Sequence, residues 1–98
     1  MARMATLSDT EVKDALADIP GWELSGSEIV KQYKFADFVG AMAFVNQVAE
    51  AAEAANHHPD IDIRWNKVRL ALSTHSEGGL TNNDFALAAQ IESLAGTR

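Results

Sequence analysis

The chain predicts an α+β fold: a four-stranded antiparallel sheet with three helices packed on one face, in the order α-β-β-α-β-β-α. Three observations predict it. Three segments repeat apolar residues at helical spacing, and each opens on a capping residue. Two further segments alternate apolar and polar residues on either side of a turn, as hairpins do. No repeat, linker or low-complexity block divides the 98 residues, so one domain over 7–98 is expected behind a loose tail of residues 1–6.

The first helix opens at Ser8-Asp9-Thr10-Glu11, the Ser-x-x-Glu form of a capping box. Val12, Leu16 and Ile19 follow at helical spacing, and Pro20-Gly21 stops the helix. Trp22 to Leu24 reads as a strand, Gly26-Ser27 as a turn, and Glu28 to Phe35 as the return strand with Ile29, Tyr33 and Phe35 on one face. Asp37 is a good N-cap for a long second helix, whose buried stripe is expected to be Phe38, Met42, Val45, Val48, Ala49 and Ala52. Asn56 tolerates a left-handed C-terminal conformation and Pro59 prevents continuation.

Ile61, Ile63 and Trp65 alternate with Asp62 and Arg64, the pattern of a half-buried strand. Asn66-Lys67 is read as the two-residue turn, because Asn accepts positive φ. Val68, Leu70 and Leu72 carry the alternation back to Thr74-His75. A glycine-containing loop leads to Thr81-Asn82-Asn83-Asp84, a second capping box. It opens a third helix with Leu87, Ile91 and Leu94 on one stripe, ended by Gly96. Arg64 and Arg69 are expected on the outer sheet face.

Composition narrows the function. An apolar share of 47% fits a folded globule, while a formal charge of -6 with scattered Lys and Arg opposes nucleic-acid binding. With no cysteine, disulfides, zinc-thiolate sites and thiol catalysis are excluded. Asp9, Glu11, Asp14 and Asp18 interrupt any signal-like apolar core, and no apolar run is long enough to span a bilayer, so a soluble cytoplasmic protein is expected. A small core gains from self-association, which makes a homo-oligomer a reasonable expectation.

All three histidines fall in two short segments, Asn56-His57-His58-Pro59 and Thr74-His75. Imidazole exchanges a proton near neutral pH. The second hairpin starts just after His58 and ends just before His75, so its geometry should set the three rings side by side. Glu53 lies four residues before His57 and is expected to pair with it across one helical turn. Trp22, Ile61 and Trp65 could frame a flat ring, although Trp22 reads equally as a core anchor. Asp84 reads as a capping partner or as a carboxylate at the mouth of the same pocket. Three imidazoles could bind zinc with an open position. Consecutive side chains diverge, however, which favours metal-free acid/base chemistry on a small organic substrate.

Glu53-x3-His57-His58-Pro59, Trp65-Asn66-Lys67-Val68, Leu72-Ser73-Thr74-His75 and Gly79-Leu80-Thr81 with Asp84 together resemble the signature of the pterin-4a-carbinolamine dehydratases. Gly21-Trp22 and the Phe38 to Val48 helix extend the resemblance over nearly the whole chain. It implies the α+β fold above, a homodimer or homotetramer, and dehydration of 4a-hydroxytetrahydropterin without cofactor or metal. A functional link to an aromatic amino acid hydroxylase is implied too. By the same resemblance His57 and His75 would transfer protons and His58 would orient the pterin. Glu53 would tune His57, and Asp84 would support His75 or its loop. Pro59, Ile61, Trp22, Thr74 and Asp84 would contact substrate. The resemblance also implies an alternative: the family's fold serves as a dimerisation cofactor for a transcription factor and related scaffolds act in enzyme assembly, so a non-catalytic binding or assembly role is the second reading. The chain departs from the family pattern at Asn56, Ile61 and Ile63. Ile61 keeps an apolar wall but loses aromatic stacking, so weaker pterin binding or a shifted substrate range is expected.

Overall fold

A computed structural model describes residues 6–96. The tail expected over residues 1–6 therefore lies, apart from Thr6, outside the described residues. Helix α1 (Asp9–Leu16) begins with the expected box: the Ser8 hydroxyl accepts from the Glu11 N–H and the Glu11 carboxylate accepts from the Ser8 N–H. Strands β1 (Glu23–Ser25) and β2 (Glu28–Lys34) form the first hairpin. Helix α2 (Phe38–Ala55) is followed by β3 (Asp60–Arg64) and β4 (Lys67–Leu72), then by a short 3-10 turn (His75–Glu77) and helix α3 (Asn82–Gly96).

The four strands are antiparallel in the order β1-β2-β4-β3, so β2 and β4 are central and the β3–β4 hairpin folds back on the sheet through β4. Period-two alternation sends Ile29, Tyr33, Val68, Leu70 and Leu72 inward, where they pack under α2 and α3. Phe44 is fully buried at the centre, its ring 4.9 Å from that of Tyr33 and 5.0 Å from that of Phe35. Gly21 has a φ of 88°, and the Lys31 side chain crosses where a β-carbon would stand, 2.9 Å away. The positive φ is what calls for glycine there, since the Lys31 tip is the far end of a flexible side chain.

Three details differ from the sequence pattern. The α2 stripe is rotated by about one position: Ala41, Phe44, Val45, Val48, Ala51 and Ala52 are buried, whereas Phe38 and Ala49 are exposed. Alanine at so many positions leaves the helix apolar nearly all round, so periodicity fixes its face weakly. The hairpin turn is Trp65-Asn66 and not Asn66-Lys67, because Arg64 pairs with Lys67. Tertiary bonds select it: Asn66 Nδ2 donates to the Phe35 carbonyl at 2.8 Å, and the Phe35 N–H donates to the Asn66 carbonyl at 2.8 Å. Asn66 is thereby buried, and the positive φ falls on Trp65. Finally, β3 is an edge strand, so Ile61 is 37% exposed and Trp65 leaves the strand altogether.

Candidate active site

The end of α2 decides where the first two histidines go. Asn56 adopts φ 50° and ψ 43°, the left-handed conformation its sequence position predicts. The Asn56 N–H then bonds to the Glu53 carbonyl and the His57 N–H to the Ala52 carbonyl, a Schellman closure. This reversal takes His57 off the helical spiral and toward the N-terminus of α3. His57 Nε2 lies 2.6 Å from Asp84 Oδ1. Glu53, expected to pair with His57, instead pairs with His58, whose Nε2 is 2.5 Å from Glu53 Oε2. The i,i+4 rule fails here because Asn56 ends the helix before His57 can complete the turn.

Asp84 is 0% exposed and is fully engaged. Its Oδ2 accepts from the Thr74 hydroxyl at 2.8 Å and from the Thr81 N–H at 2.9 Å. Since Thr74 donates to Asp84, the Thr81 hydroxyl donates to Thr74 Oγ1 at 2.7 Å. Thr81 Oγ1 accepts in turn from the Asn83 N–H at 3.3 Å. Of the capping box predicted at Thr81 the carboxylate half forms, while the Thr81 hydroxyl caps Asn83 and not Asp84; the same carboxylate also holds His57. Asp84 bonds not to His75 but to Thr74, the residue just before it.

His75 stands on the 3-10 turn, exposed to solvent. Thr74 and Gly79 form an isolated antiparallel bridge with reciprocal N–H to carbonyl bonds of 3.0 and 3.4 Å, which closes the loop beneath it. Gly78, at φ 75°, allows that tight return.

All three imidazoles line one open cleft of about 260 Å³, together with Asn56, Ser73, Thr74 and Ser76. Hairpin geometry therefore brings the two histidine segments together as expected. Ser73 and Ser76 also line the cleft, and the run of hydroxyl residues flanking His75 is the sequence signal for them. Pro59 and Ile61 follow His58 along the chain leading away from the cleft and do not line it. Trp22 does not line it either. That ring is 4% exposed, stands edge-on to Tyr33, and donates from Nε1 to Glu92 Oε1 at 3.2 Å, so it anchors the core. Trp65 sits at the far end of the β3–β4 hairpin and does not line the cleft.

Carboxylates offer only acceptors, so the Nε2 atoms of His57 and His58 carry hydrogen. Among the described residues no group of three His, Asp or Glu side chains is arranged to hold a metal ion.

A family model described as pterin 4 alpha carbinolamine dehydratase matches residues 5–94. The chain belongs to the pterin-4a-carbinolamine dehydratase family. It is 58% identical over 91 residues to a protein of Acidobacterium capsulatum named "Putative pterin-4-alpha-carbinolamine dehydratase", covering 93% of this chain and 99% of that one. A protein of Chloroflexus aurantiacus with the same name is 56% identical over 93 residues, covering 95% of this chain and all of that one. Among solved structures, a transcriptional coactivator/pterin dehydratase from Brucella melitensis superposes with a TM-score of 0.89 at 36% identity, over 93% of this chain and 99% of that one. A pterin dehydratase-like RuBisCO assembly factor of the alpha-carboxysome superposes with a TM-score of 0.64 at 24% identity, over 76% of this chain and 87% of that one. This last likeness is one of fold. Family membership accounts for the α+β sandwich. Among the described residues no helix is long and apolar enough to cross a membrane.

Proposed function

We propose that the chain dehydrates 4a-hydroxytetrahydropterin to quinonoid dihydropterin, with its histidines as acid and base. The observation that carries this reading is the meeting of three imidazoles in one cleft, two of them oriented by carboxylates. The 4a-hydroxyl leaves poorly unless protonated. The N5 lone pair expels it as water, a C4a=N5 double bond forms, and N5 loses its proton. One group must deliver a proton and another remove one, and the ring must be held between them.

His57 and His75 are the proton-transfer pair in this reading, and His58 orients the pterin. Asp84 fixes the His57 ring and Glu53 the His58 ring. Positioned acid/base groups contribute about 10²–10⁴-fold each, a few kcal/mol that a shallow cleft can supply. The substrate would come from an enzyme that hydroxylates with a tetrahydropterin, such as an aromatic amino acid hydroxylase. A homodimer or homotetramer is part of the proposal, since Phe38 and Val39 expose an apolar pair at the start of α2.

Carbinolamine dehydration by the parent, His57→Ala, His75→Ala and the double variant tests the assignment. Each single variant is expected to lose about 10²–10⁴-fold in kcat. Parent-like turnover by the double variant would end the acid/base reading.

A further inference from the structure

The open face of the sheet, which no described helix covers, carries its charge in a gradient. Near the histidine end its outward residues include Glu23, opposite Val30, and Asp60, opposite Ala71. At the other end Lys34, Lys67 and Arg64 are direct cross-strand neighbours, with Arg69 one row inward between Gln32 and Asp62. Like charges directly opposite one another destabilise a sheet. The side chains of Lys34, Lys67 and Arg69 form no ion pair or hydrogen bond with a described residue, and the Arg64 side chain reaches only Asp62, at 3.2 Å. A chain of net charge -6 thus gathers four of its eight Lys and Arg at one end of one face.

Beside this row stands a second uncompensated feature. Trp65 is 67% exposed and holds a φ of 52°. The left-handed region penalises side chains with a β-carbon; Gly escapes the penalty and Asn, through its short polar side chain, bears it best. Here the Asn stands at the other turn position, buried, and the largest side chain occupies the strained and exposed one. A concavity of about 270 Å³ lined by Gln32, Asp62, Arg64, Lys67 and Arg69 adjoins it.

We propose that this end of the open face docks a protein segment carrying two or more carboxylates next to an apolar residue. The carboxylates lie along Lys34, Lys67 and Arg64, and the apolar residue packs on Trp65. Guanidinium groups bind carboxylates bidentately, and Trp and Arg are the residue types that anchor protein interfaces. An extended polyanion is disfavoured, because Glu23 and Asp60 on the same face and the net charge repel it. Asp62 within the cluster opposes a doubly charged phosphate more than a single carboxylate. The patch lies at the opposite end of the β3–β4 hairpin from the histidine cleft, so the proposal stands independently of the dehydratase reading.

Amide NMR of the full chain, titrated with the capped peptide Asp-Glu-Leu-Glu-Asp, with its amide counterpart Asn-Gln-Leu-Gln-Asn, and with inorganic pyrophosphate, tests it. Saturable shifts at residues 64–69 are expected with the acidic peptide alone, weakening as salt is raised. Affinity should fall at least about tenfold in the Arg64→Gln/Lys67→Gln double variant, the loss expected for charge-assisted hydrogen bonds. Melting temperature serves as the folding control. At low salt the double variant should melt no lower than the parent, because it loses a repulsion, and Trp65→Asn should melt higher while binding more weakly. The proposal is overturned by the absence of saturable shifts, by an equal response to the amide peptide, by tighter binding of pyrophosphate, or by a lower melting temperature in the double variant.

Discussion

With no exposed surface, the Asp84 carboxylate meets three donors from three parts of the chain: the His57 ring, the Thr74 hydroxyl and the Thr81 N–H. Capping chemistry placed the residue there, and folding gave it a second task. Asp84→Asn keeps the shape but turns one acceptor oxygen into a donor, which must face either His57 Nε2–H or the Thr74 and Thr81 donors. A loss of about 1–3 kcal/mol in urea unfolding is expected, the cost of an unsatisfied buried polar group. If Asp84 positions His57, kcat falls while KM changes little. A kcat equal to the parent's, with the stability loss present, would leave Asp84 a structural residue only.

At the scale of elements, the end of α2 couples backbone conformation to the site. Asn56→Gly supplies the left-handed conformation without a β-carbon and should leave both stability and turnover near the parent's. Asn56→Ala must either strain that conformation or extend the helix, so a loss of about 1 kcal/mol or more is expected, with a larger loss of kcat as His57 moves away from Asp84. Thermal melts and steady-state kinetics of the two variants check this, and equal behaviour of Gly and Ala would refute the coupling. The location of this helix end was legible in the sequence, since Asn56 and Pro59 both mark it. Which carboxylate would meet which imidazole was not. Spacing along a helix predicts neighbours only while the helix continues, and His57 lies one residue beyond the left-handed cap.

Across the whole molecule, Glu92 of α3 ties the helical layer to the first hairpin. Its Oε1 accepts from the Trp22 indole, from Lys31 Nζ at 2.5 Å and from the Tyr33 hydroxyl. Burial pushes the Glu92 carboxyl up. The hydrogen bonds from Lys31, Tyr33 and Trp22 and the Lys31 charge outweigh that and hold it below the usual carboxylate range. A carboxyl depressed on folding contributes stability that is present above its unfolded pKa and is lost as pH falls through the folded one. For Tyr33, burial and the adjoining Glu92 push the phenol far above its ordinary range. That contribution is complete below about pH 10 and is lost as pH rises further. Melting temperatures across pH should fall at both limits. Glu92→Gln should melt lower than the parent at neutral pH and flatten the acid limb; parallel acid limbs in the two proteins would refute this role.

By itself the sequence determined the element order, the caps that begin α1, α2 and α3, the left-handed end of α2, and the meeting of the three histidines. All of these follow from short-range stereochemistry and from the period of apolar residues. Only the tertiary structure decided the rest. It set the rotation of α2 on the sheet, because an alanine-rich helix has no sharply apolar face. It moved the hairpin turn to Trp65-Asn66, because Asn66 is held by Phe35 on another strand. It exchanged the carboxylate partners of His57 and His58, because Asp84 arrives from α3, far along the chain. Contacts between distant segments depend on how the layers pack, and no local pattern of residues encodes that alone.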